Sequence, residues 1–314
     1  MDIKDLIVRY GLVFPKRFYP KEKLLFLRGL AKEFIGAGMS VDIKEVKKNQ
    51  RKAYNLYAGN VNQAGLTVSA YYDTPPKTFS LVKHKAYCPK GDGIEFLISI
   101  LAPYLIIIAI AAVLSHFVLM PIWSDNIFNY LDALAFLPLV ILFPLLMYFR
   151  NGVGNKPNLV RNSAALIACV KLAEDLKPKE RNKISLAFTD YGCINHYGDR
   201  MLKEFLAEKA DANTVILLDC VGGQGDVIVL YSAACAGFVE KVKANFAGKA
   251  VFYEMKENDP RYYQLFNKSI VITSGKLANG AATAEKVNSS KDNDINEENL
   301  NAAIGVIKDF VRNY

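Results

Sequence analysis

The chain begins with apolar side chains at helical spacing and then changes to the alternation that is typical of strands. Residues 19–37 (YPKEKLLFLRGLAKEFIGA) place apolar side chains three and four positions apart and end beside a glycine, which predicts a helix. The segments SVDIKEV, AYNLYAG and LTVSAYY follow, and each is predicted to be a strand. The third strand runs into the turn DTPP, so Asp73 stands at a predicted strand end.

From residue 158 onwards, predicted helices and strands alternate. The predicted helices are 158–176, 198–209, about 235–246 and NEENLNAAIGVIKDFVRN, and the predicted strands are 183–190, 213–223, DVIVLYS and KSIVITSG. This alternation is typical of an α/β fold in which a mostly parallel sheet is covered by helices on both faces. Ligands gather at the carboxyl ends of strands in such folds, and Asp73, Asp190 and Asp219 all stand at such ends.

Two uncharged apolar runs interrupt this alternation. The 28 residues of 96–123 contain no Asp, Glu, Lys or Arg, and neither do the 17 residues of 133–149. Because about 20 apolar residues span the hydrocarbon core of a bilayer, we expect a transmembrane helical hairpin over 96–149, with spans at about 96–121 and 131–149. The α/β domain is then discontinuous and is formed by 1–95 and 150–314. A pair of buried core helices is the alternative.

The charges that flank these runs predict an orientation. The stretch SDNIFNYLD between the runs contains no Lys or Arg. Basic residues stand on both outer sides, namely Lys83, Lys85, Lys90, Arg150, Lys156 and Arg161. By the positive-inside rule, we expect a multi-pass protein of the cell membrane with its α/β domain in the cytoplasm and the lipid bilayer as a partner.

Composition changes this interpretation only slightly. A hydrophobic content of 52%, a mean hydropathy of +0.11 and a net charge of +8 suit a protein that lies against an anionic membrane. The five cysteines form no CxxC pair, which favours reduced thiols over a disulfide framework. The basic run 44–52 has no accompanying aromatic stacking pattern, so we interpret it as a solvated hairpin tip and expect no nucleic-acid partner.

Five landmarks follow one another in a fixed order along the chain. They are AYYDTPP, NLVRNSAALIACVKLAEDL, ISLAFTDYGCINHYGDRMLKEF, VILLDCVGG and KVNSSKDNDINEENL. The set resembles the zinc-dependent aminopeptidase family, which includes leucyl aminopeptidases, glutaminyl cyclases and the protease-like domain of the transferrin receptor. The resemblance covers roughly 20–95 and 150–314. It implies a three-layer sandwich with a mostly parallel mixed sheet.

The family's metal-binding positions are largely replaced in this chain. In the family, a His-x-Asp, an Asp that bridges two zinc ions, a Glu-Glu pair, a strand-end Asp and a late His form the site. The resemblance places Tyr71, Asp73, Arg161, Gly192, Cys193, Asp219 and Asn288 at these positions. Among the positions that carry metal ligands in the family, only Asp219 keeps the family's residue. The general base is replaced by Gly192, and Arg161 puts a fixed positive charge where two dications would lie.

We therefore expect no metal, no cofactor and no catalytic residue, and we interpret the seven positions as a vestigial site. Our hypothesis is that Arg161, Asp73 and Asp219 form a charge cluster in which Arg161 pairs with one carboxylate or with both, and that Tyr71 donates a hydrogen bond to the same cluster. The alternative places Arg161 in solvent. Cys193 and His196 could also form a weak metal pair or a nucleophile with its base, although a surface or loop histidine is the simpler interpretation.

Two other histidines are candidate ligands by residue type. His84 lies between two lysines, which disfavours a metal, and His116 lies in the first apolar run, where a titratable group is a functional candidate. Taken together, the sequence predicts a membrane-anchored, catalytically degenerate peptidase-like protein that serves as a binding or scaffolding module for a protein or peptide partner. The alternative is a functioning metallo-aminopeptidase-like hydrolase with an unusual site. A transporter or channel subunit is disfavoured, because two spans enclose no pathway.

Overall fold

The computed structural model describes residues 2–48, 51–61, 63–78, 83–87, 94–119, 137–149, 152–256 and 265–314. The helices are α1 (Ile3–Val8), α2 (Pro20–Gly36), α3 (Ile94–Leu114), α4 (Leu137–Phe149), α5 (Ala164–Asp175), α6 (Pro178–Arg181), α7 (Tyr197–Leu206), α8 (Ala236–Asn245) and α9 (Glu297–Asn313). The strands are β1 (Val41–Lys48), β2 (Arg51–Ala58), β3 (Leu66–Tyr71), β4 (Lys83–Lys85), β5 (Ile184–Thr189), β6 (Thr214–Leu218), β7 (Asp226–Tyr231), β8 (Val251–Glu254), β9 (Ser269–Ala278) and β10 (Ala281–Glu285). Shorter π-helical and 3-10 turns, such as Arg9–Val13 and Leu159–Ser163, extend or precede several helices.

These strands form one large mixed sheet. Its order is β1-β2-β5-β3-β6-β9-β10-β4, with β7 paired to β9 and β8 paired to β7. The central strands β5, β3, β6 and β9 are parallel, whereas β1, β2, β10 and β4 join antiparallel. The α/β prediction is therefore confirmed. Strands from before and after the helical insertion are neighbours, since β3 lies between β5 and β6.

Helices cover both faces of the sheet because its central strands are apolar on both sides. Every residue of β3 and β5 is buried. On one face, Val68 and Ala70 belong to a core with apolar side chains from α2, α5 and α9. On the other face, Tyr71 belongs to a core that includes Leu202 and Leu206 of α7. The carboxyl ends of β3, β5 and β6 therefore lie side by side, and the loops that follow them meet there.

The two apolar runs form α3 and α4, which pack against each other. Among the described residues, no helix combines the length and apolar character that crossing a bilayer requires. The predicted transmembrane hairpin over 96–149 is therefore not supported. One physical reason is that the 13 residues of α4 rise about 20 Å, short of the hydrocarbon thickness of about 30 Å. The predicted connection, in 120–136, lies outside the described residues.

Candidate functional site

Asp219 lies at the carboxyl end of β6 and is the centre of a buried hydrogen-bond cluster. Its Oδ1 accepts a hydrogen bond of 2.7 Å from Nη1 of Arg161 and another from the Tyr71 hydroxyl. Its Oδ2 lies 2.9 Å from Nε2 of His84 and accepts a weaker bond of 3.4 Å from the backbone N–H of Tyr87. All five residues are buried, and Asp219 is only 1% exposed. Both carboxylate oxygens are therefore occupied by protein groups.

The charges in this cluster support each other. Burial alone raises the pKa of the Asp219 carboxyl, but the nearby Arg161 and His84 outweigh it and hold the pKa well below its usual range. Burial likewise lowers the pKa of the Arg161 guanidinium, and the charge of Asp219 raises it above its usual value. The pair is therefore ionised at neutral pH and carries no net charge.

The fold positions Arg161 through the turn that precedes α5. This turn, Leu159–Ser163, is capped by Asp292, whose carboxylate accepts bonds of 2.7 and 3.2 Å from the backbone N–H groups of Val160 and Arg161. The Arg161 Nε donates to Oδ1 of Asn288 at 3.1 Å, and its guanidinium lies 4.7 Å from the centroid of the Tyr71 ring. Asn288 and Tyr71, two of the predicted site positions, thus help to hold Arg161 beside Asp219.

Asp73 lies in a different part of the site from the one the sequence predicted. Its carboxylate accepts hydrogen bonds from the backbone N–H groups of Gly192, at 2.8 Å, and Cys193, at 3.3 Å. Burial raises its pKa to about 7. Within the described residues, no hydrogen bond or ion pair joins Asp73 to Arg161. The expected cluster of Arg161, Asp73 and Asp219 therefore divides, and Arg161 pairs with Asp219.

Tyr71 and Gly192 share one volume of the site. A Cβ atom built on Gly192 would overlap the Cβ and Cγ atoms of Tyr71. The Tyr71 ring thus occupies the space that a side chain at position 192 would need. The resemblance places the general base at position 192. The Tyr71 side chain fills the volume that this base would need, so the tyrosine and the absence of a side chain at position 192 go together.

Asp190, the third strand-end aspartate, pairs with a buried lysine. Nζ of Lys23, which α2 supplies, lies 2.5 Å from Oδ1 of Asp190 and 4.2 Å from the centroid of the Tyr191 ring. Lys23 is only 6% exposed. This ion pair connects the helix layer to the carboxyl end of β5, so we assign it a role in stability.

Cys193 and His196 have separate partners. Sγ of Cys193 donates to the backbone oxygen of Asp73 at 3.0 Å, and burial raises the pKa of this thiol well above its usual value. Nδ1 of His196 lies 3.0 Å from Asp199, and its ring stacks on Tyr87 with the centroids 5.2 Å apart. A thiol in this environment is protonated at neutral pH, which disfavours the nucleophile and metal-pair alternatives.

His84 belongs to the site although sequence reasoning set it aside. It lies in β4, where Lys83 and Lys85 are exposed and His84 between them is buried. The strand alternation of KHK was the available signal, because it turns both lysines away from the histidine. The length of three residues gave no other indication of a strand.

The residues at this site do not fit the pair of zinc ions that the resemblance implies. His84, Asp219 and Cys220 bring possible ligand atoms within 4.8 Å of one another. However, Arg161 already occupies Asp219, and no carboxylate stands at the bridging position. Burial also raises the pKa of the Cys220 thiol well above its usual value, whereas a cysteine ligand must lose its proton.

Two cavities described in the structure lie away from Asp219. One, of about 720 Å³, is lined mainly by residues 36–40 and 178–182. The other, of about 510 Å³, is lined by Asp292 and by residues that include 223–225 and 283–287. The buried cluster around Asp219 contributes none of the lining residues. Neither of these two cavities therefore opens onto the Asp219 cluster.

Comparison with known proteins identifies the fold. No family model and no curated protein matches the chain. Among solved structures, a Zn-dependent exopeptidase from Parabacteroides distasonis is similar, with a TM-score of 0.57, 15% identity and coverage of 100% of this chain and 98% of that chain. A glutaminyl cyclase from Bacteroides thetaiotaomicron has a TM-score of 0.58, 15% identity and coverage of 100% and 98%.

A leucine aminopeptidase precursor from Bacteroides thetaiotaomicron is also similar, with a TM-score of 0.56, 14% identity and coverage of 100% of this chain and 97% of that chain. These likenesses confirm that the chain has an aminopeptidase-like fold. Identities this low show the fold alone, because one fold serves many functions.

Proposed function

We propose that this chain is a catalytically degenerate peptidase-like protein that serves as a binding or scaffolding module. The observation that carries the proposal is the contact of 2.7 Å between Arg161 and Asp219. In this fold, a carboxylate at the end of β6 would be available to a metal. Here a guanidinium neutralises it inside a buried cluster. The cluster then stabilises the fold instead of activating water.

The filled site also bears on how such a module would act. Tyr71 and Asp219 are each 1% exposed, and Arg161 is 4% exposed, so within the described part of the chain these side chains offer a ligand almost no accessible surface. A role in recognition therefore falls to the outer surface, where a protein or peptide partner would dock. This reasoning favours a scaffold over a receptor for small ligands.

Membrane association is the second part of this proposal. The side chains of α3 and α4 are apolar and many of them are exposed, among them Leu97, Leu105, Ile106, Ile110, Val113, Val140, Ile141 and Phe143. A continuous apolar surface of this kind marks a site of contact with lipid or protein. The net charge of +8 favours an anionic membrane surface, such as that of the cytoplasmic leaflet.

Metal content and activity of the purified chain test the first part. After dialysis against a zinc-containing buffer, we expect elemental mass spectrometry to find far less than one zinc ion per chain. We also expect no turnover of aminoacyl amides or of peptides with amino-terminal glutamine. Stoichiometric zinc together with hydrolysis or cyclisation would overturn the proposal.

A functioning metallohydrolase with an unusual site is the second candidate. The grouping of His84, Asp219 and Cys220 favours it, because imidazole, carboxylate and thiolate are all ligands that zinc accepts. The Cys220→Ser variant separates the two candidates. If zinc binds through this group, the variant loses it, whereas the degenerate protein has no zinc to lose.

A further inference from the structure

The cavity of about 720 Å³ lies at the edge of the sheet opposite to Asp219. Its lining comes from the connection between α2 and β1, from the turn after β2 and from α6, and we call it the α6 cavity. Asn182 in this lining precedes the start of β5, and a Cβ atom built on Gly59 would lie 3.0 Å from the carbonyl oxygen of Ile184, the first residue of β5. Because Asp219 lies at the carboxyl ends of the parallel strands and the α6 cavity at an amino end, the two are separate.

Two glycines leave room for this cavity. Gly38 ends α2 with φ of +80°, and Gly59 ends the turn after β2 with φ of +84°. Both values lie in the left-handed region that glycine adopts without strain. A Cβ atom built on Gly38 would lie 3.7 Å from Nη1 of Arg181, so the end of α2 lies directly beside the guanidinium of α6.

Arg181 is the only charged residue among the lining residues that the structure describes. Its Nη1 donates a hydrogen bond to the backbone oxygen of Ala37, while its Nε is buried and has no hydrogen-bond partner. Within the described part of the chain, no carboxylate forms an ion pair with this half-buried side chain. A guanidinium has five N–H donors and a permanent charge, and leaving them unmet costs free energy. A ligand with an anionic group would supply the missing counter-charge.

The surroundings of the α6 cavity are basic as well. Residues 177–183 (KPKERNK) contain four basic residues and one acidic residue. That acid, Glu180, already accepts a hydrogen bond of 2.9 Å from the backbone N–H of Lys177 and lies 3.6 Å from Nε of Arg312. The local field therefore attracts anions towards Arg181.

The remaining lining suits a peptide better than an inorganic anion. Asn60, Gln63 and Asn182 are exposed and present carboxamides, each of which can both donate and accept hydrogen bonds. A peptide backbone offers both kinds of partner, whereas a fully ionised phosphate only accepts. Met39 adds an adaptable apolar side chain. The volume also exceeds what a phosphate or acetate ion fills and lies within the range of about 300–1,000 Å³ that is usual for ligand pockets.

We propose that the α6 cavity binds the carboxyl-terminal end of a peptide or protein partner, with Arg181 pairing with the terminal carboxylate. Arginine matches a carboxylate with two parallel hydrogen bonds, and capture of a terminal carboxylate is a recurring mode of peptide recognition. This inference rests on the proposed function as a binding module and deepens it by naming the recognised part of the partner. Recognition then takes place at the edge of the sheet that is remote from the vestigial site.

Affinity selection with defined peptides tests the inference. The full-length chain is incubated with a pool of pentapeptides that are randomised at their last three positions and end in a free carboxylate, or with the same pool ending in a carboxamide. Size-exclusion chromatography and mass spectrometry then identify the retained peptides. We expect the retained peptides to lose affinity about tenfold or more on amidation, because hydrogen bonds to a charged group are the strong ones.

The same selection can overturn the inference in three ways. Retention of neither pool would exclude a site for a peptide end, and equal retention of both would exclude recognition of the carboxylate. Inorganic phosphate and acetate are titrated separately by calorimetry. If either ion binds as tightly as the retained peptides, the α6 cavity is a site for small anions and the peptide assignment fails.

Variants locate the binding site on the chain. Arg181→Gln is expected to lower the affinity for a retained peptide about tenfold and to remove the difference between its free and amidated forms. Lys179→Gln, at an exposed position of the same helix, has the same change in net charge and should bind normally. Equal losses in both variants would reduce the effect to net charge and would overturn the role of Arg181.

A second variant tests the cavity without changing Arg181. Ser40 is an exposed lining residue, and Ser40→Trp places a large side chain there, so we expect the affinity to fall severalfold or more. Unchanged binding would place the peptide elsewhere and overturn the inference. Urea unfolding verifies that each variant is folded.

Zinc content and turnover, measured on the same preparation, separate this inference from the proposed function. If the chain is free of zinc and inactive but retains no peptide, the inference fails while the degenerate peptidase stands. If the chain binds zinc and turns over substrate, the proposed function fails. Peptide binding that depends on Arg181 would then still establish the α6 cavity as a second site.

Discussion

At Gly192 the backbone lies so close to the Tyr71 ring that a larger residue does not fit. The Gly192→Ala variant is expected to lose about 1–3 kcal/mol of unfolding free energy, because its methyl group overlaps the tyrosine side chain. Unfolding in urea measures this loss. Gly237→Ala in α8 is the matched control, since nothing lies within 4 Å of a Cβ built there, and we expect it to leave stability unchanged or slightly raised.

Removing the ring gives the complementary result. In a Tyr71→Gly background, which removes the Cβ atom as well as the ring, the added Gly192→Ala change should cost much less than it does alone, because its space is then vacant. Additive losses in the two single variants and the double variant would show that the two positions are independent, which contradicts the shared volume.

Arg161 and Asp219 form a buried pair whose two members need each other. The Arg161→Met variant keeps much of the side-chain volume and leaves Asp219 charged and buried, so we expect a loss of about 3–5 kcal/mol in unfolding free energy. Arg312→Met, at an exposed arginine of α9, is expected to change stability by less than about 1 kcal/mol. Adding Asp219→Leu to Arg161→Met should recover part of the loss, and no recovery would argue against the pair as the cause.

Among single residues, the sequence identified Asp219 and Arg161 but not their complete surroundings. Asp219 lies at the end of β6, and the sequence indicates this position because an apolar run ends there at an acidic residue. Which side chains reach it depends on β4, a strand of three residues that pairs with β10 on the far side of the sheet. A contact of this kind is set by tertiary packing, so His84 was assigned by the structure alone.

At the scale of elements, long and strongly periodic segments were predicted well. The strand predicted over 183–190 is Ile184–Thr189, and the helix predicted around 235–246 is Ala236–Asn245. The strands β4 and β10 were missed. KHK is only three residues long, and AATAE has one β-branched residue and no aromatic one, so their intrinsic preference for a strand is weak. Pairing with neighbouring strands stabilises them instead.

The cap of the turn before α5 gives the fold a dependence on pH. Burial raises the pKa of Asp292 from its ordinary 3.8 to about 7. The folded state therefore holds a proton that the unfolded chain has already released between about pH 4 and pH 7. The unfolding free energy falls as the pH rises through this range, and it levels off above about pH 7. Asp73, with a pKa of about 7, contributes in the same direction.

The Asp292→Asn variant isolates this contribution. Asparagine keeps one acceptor oxygen for the backbone N–H groups but cannot ionise. We expect the stability of the variant relative to the natural chain to rise with pH between pH 4.5 and pH 7.5, as measured by urea unfolding at several pH values. A relative stability that does not change with pH would exclude Asp292 as a titrating group.

At the scale of the whole molecule, the apolar surface of α3 and α4 is the feature that a folded domain in water would avoid. Replacing Leu105, Ile106 and Ile110 with arginine is expected to abolish most flotation with vesicles. A control replaces Leu25, Ile35 and Val251, which are also exposed, and should retain flotation. Loss of binding in both variants would indicate misfolding or a general charge effect, and circular dichroism distinguishes these two causes.

At the scale of the whole molecule, part of the architecture could be predicted from the sequence. The alternation of helical and strand periods was enough to predict the α/β class. The packing of the site could not be predicted from the sequence, because Tyr71, Gly192 and His84 come from three separate stretches of chain. Whether these side chains fit together depends on how the folded chain packs them, which the residue types alone do not reveal.

The overlap at Tyr71 and Gly192 has an evolutionary meaning. A single replacement of Gly192 by glutamate would damage folding, since the Tyr71 side chain occupies the space that the glutamate side chain would need. On the proposed function, a lineage that gained a glutamate at position 192 would first have to exchange Tyr71 for glycine, because every other residue keeps a Cβ atom in the space that the new side chain needs. This coupling is sign epistasis, so directed evolution of a peptidase from this chain has to randomise both positions together.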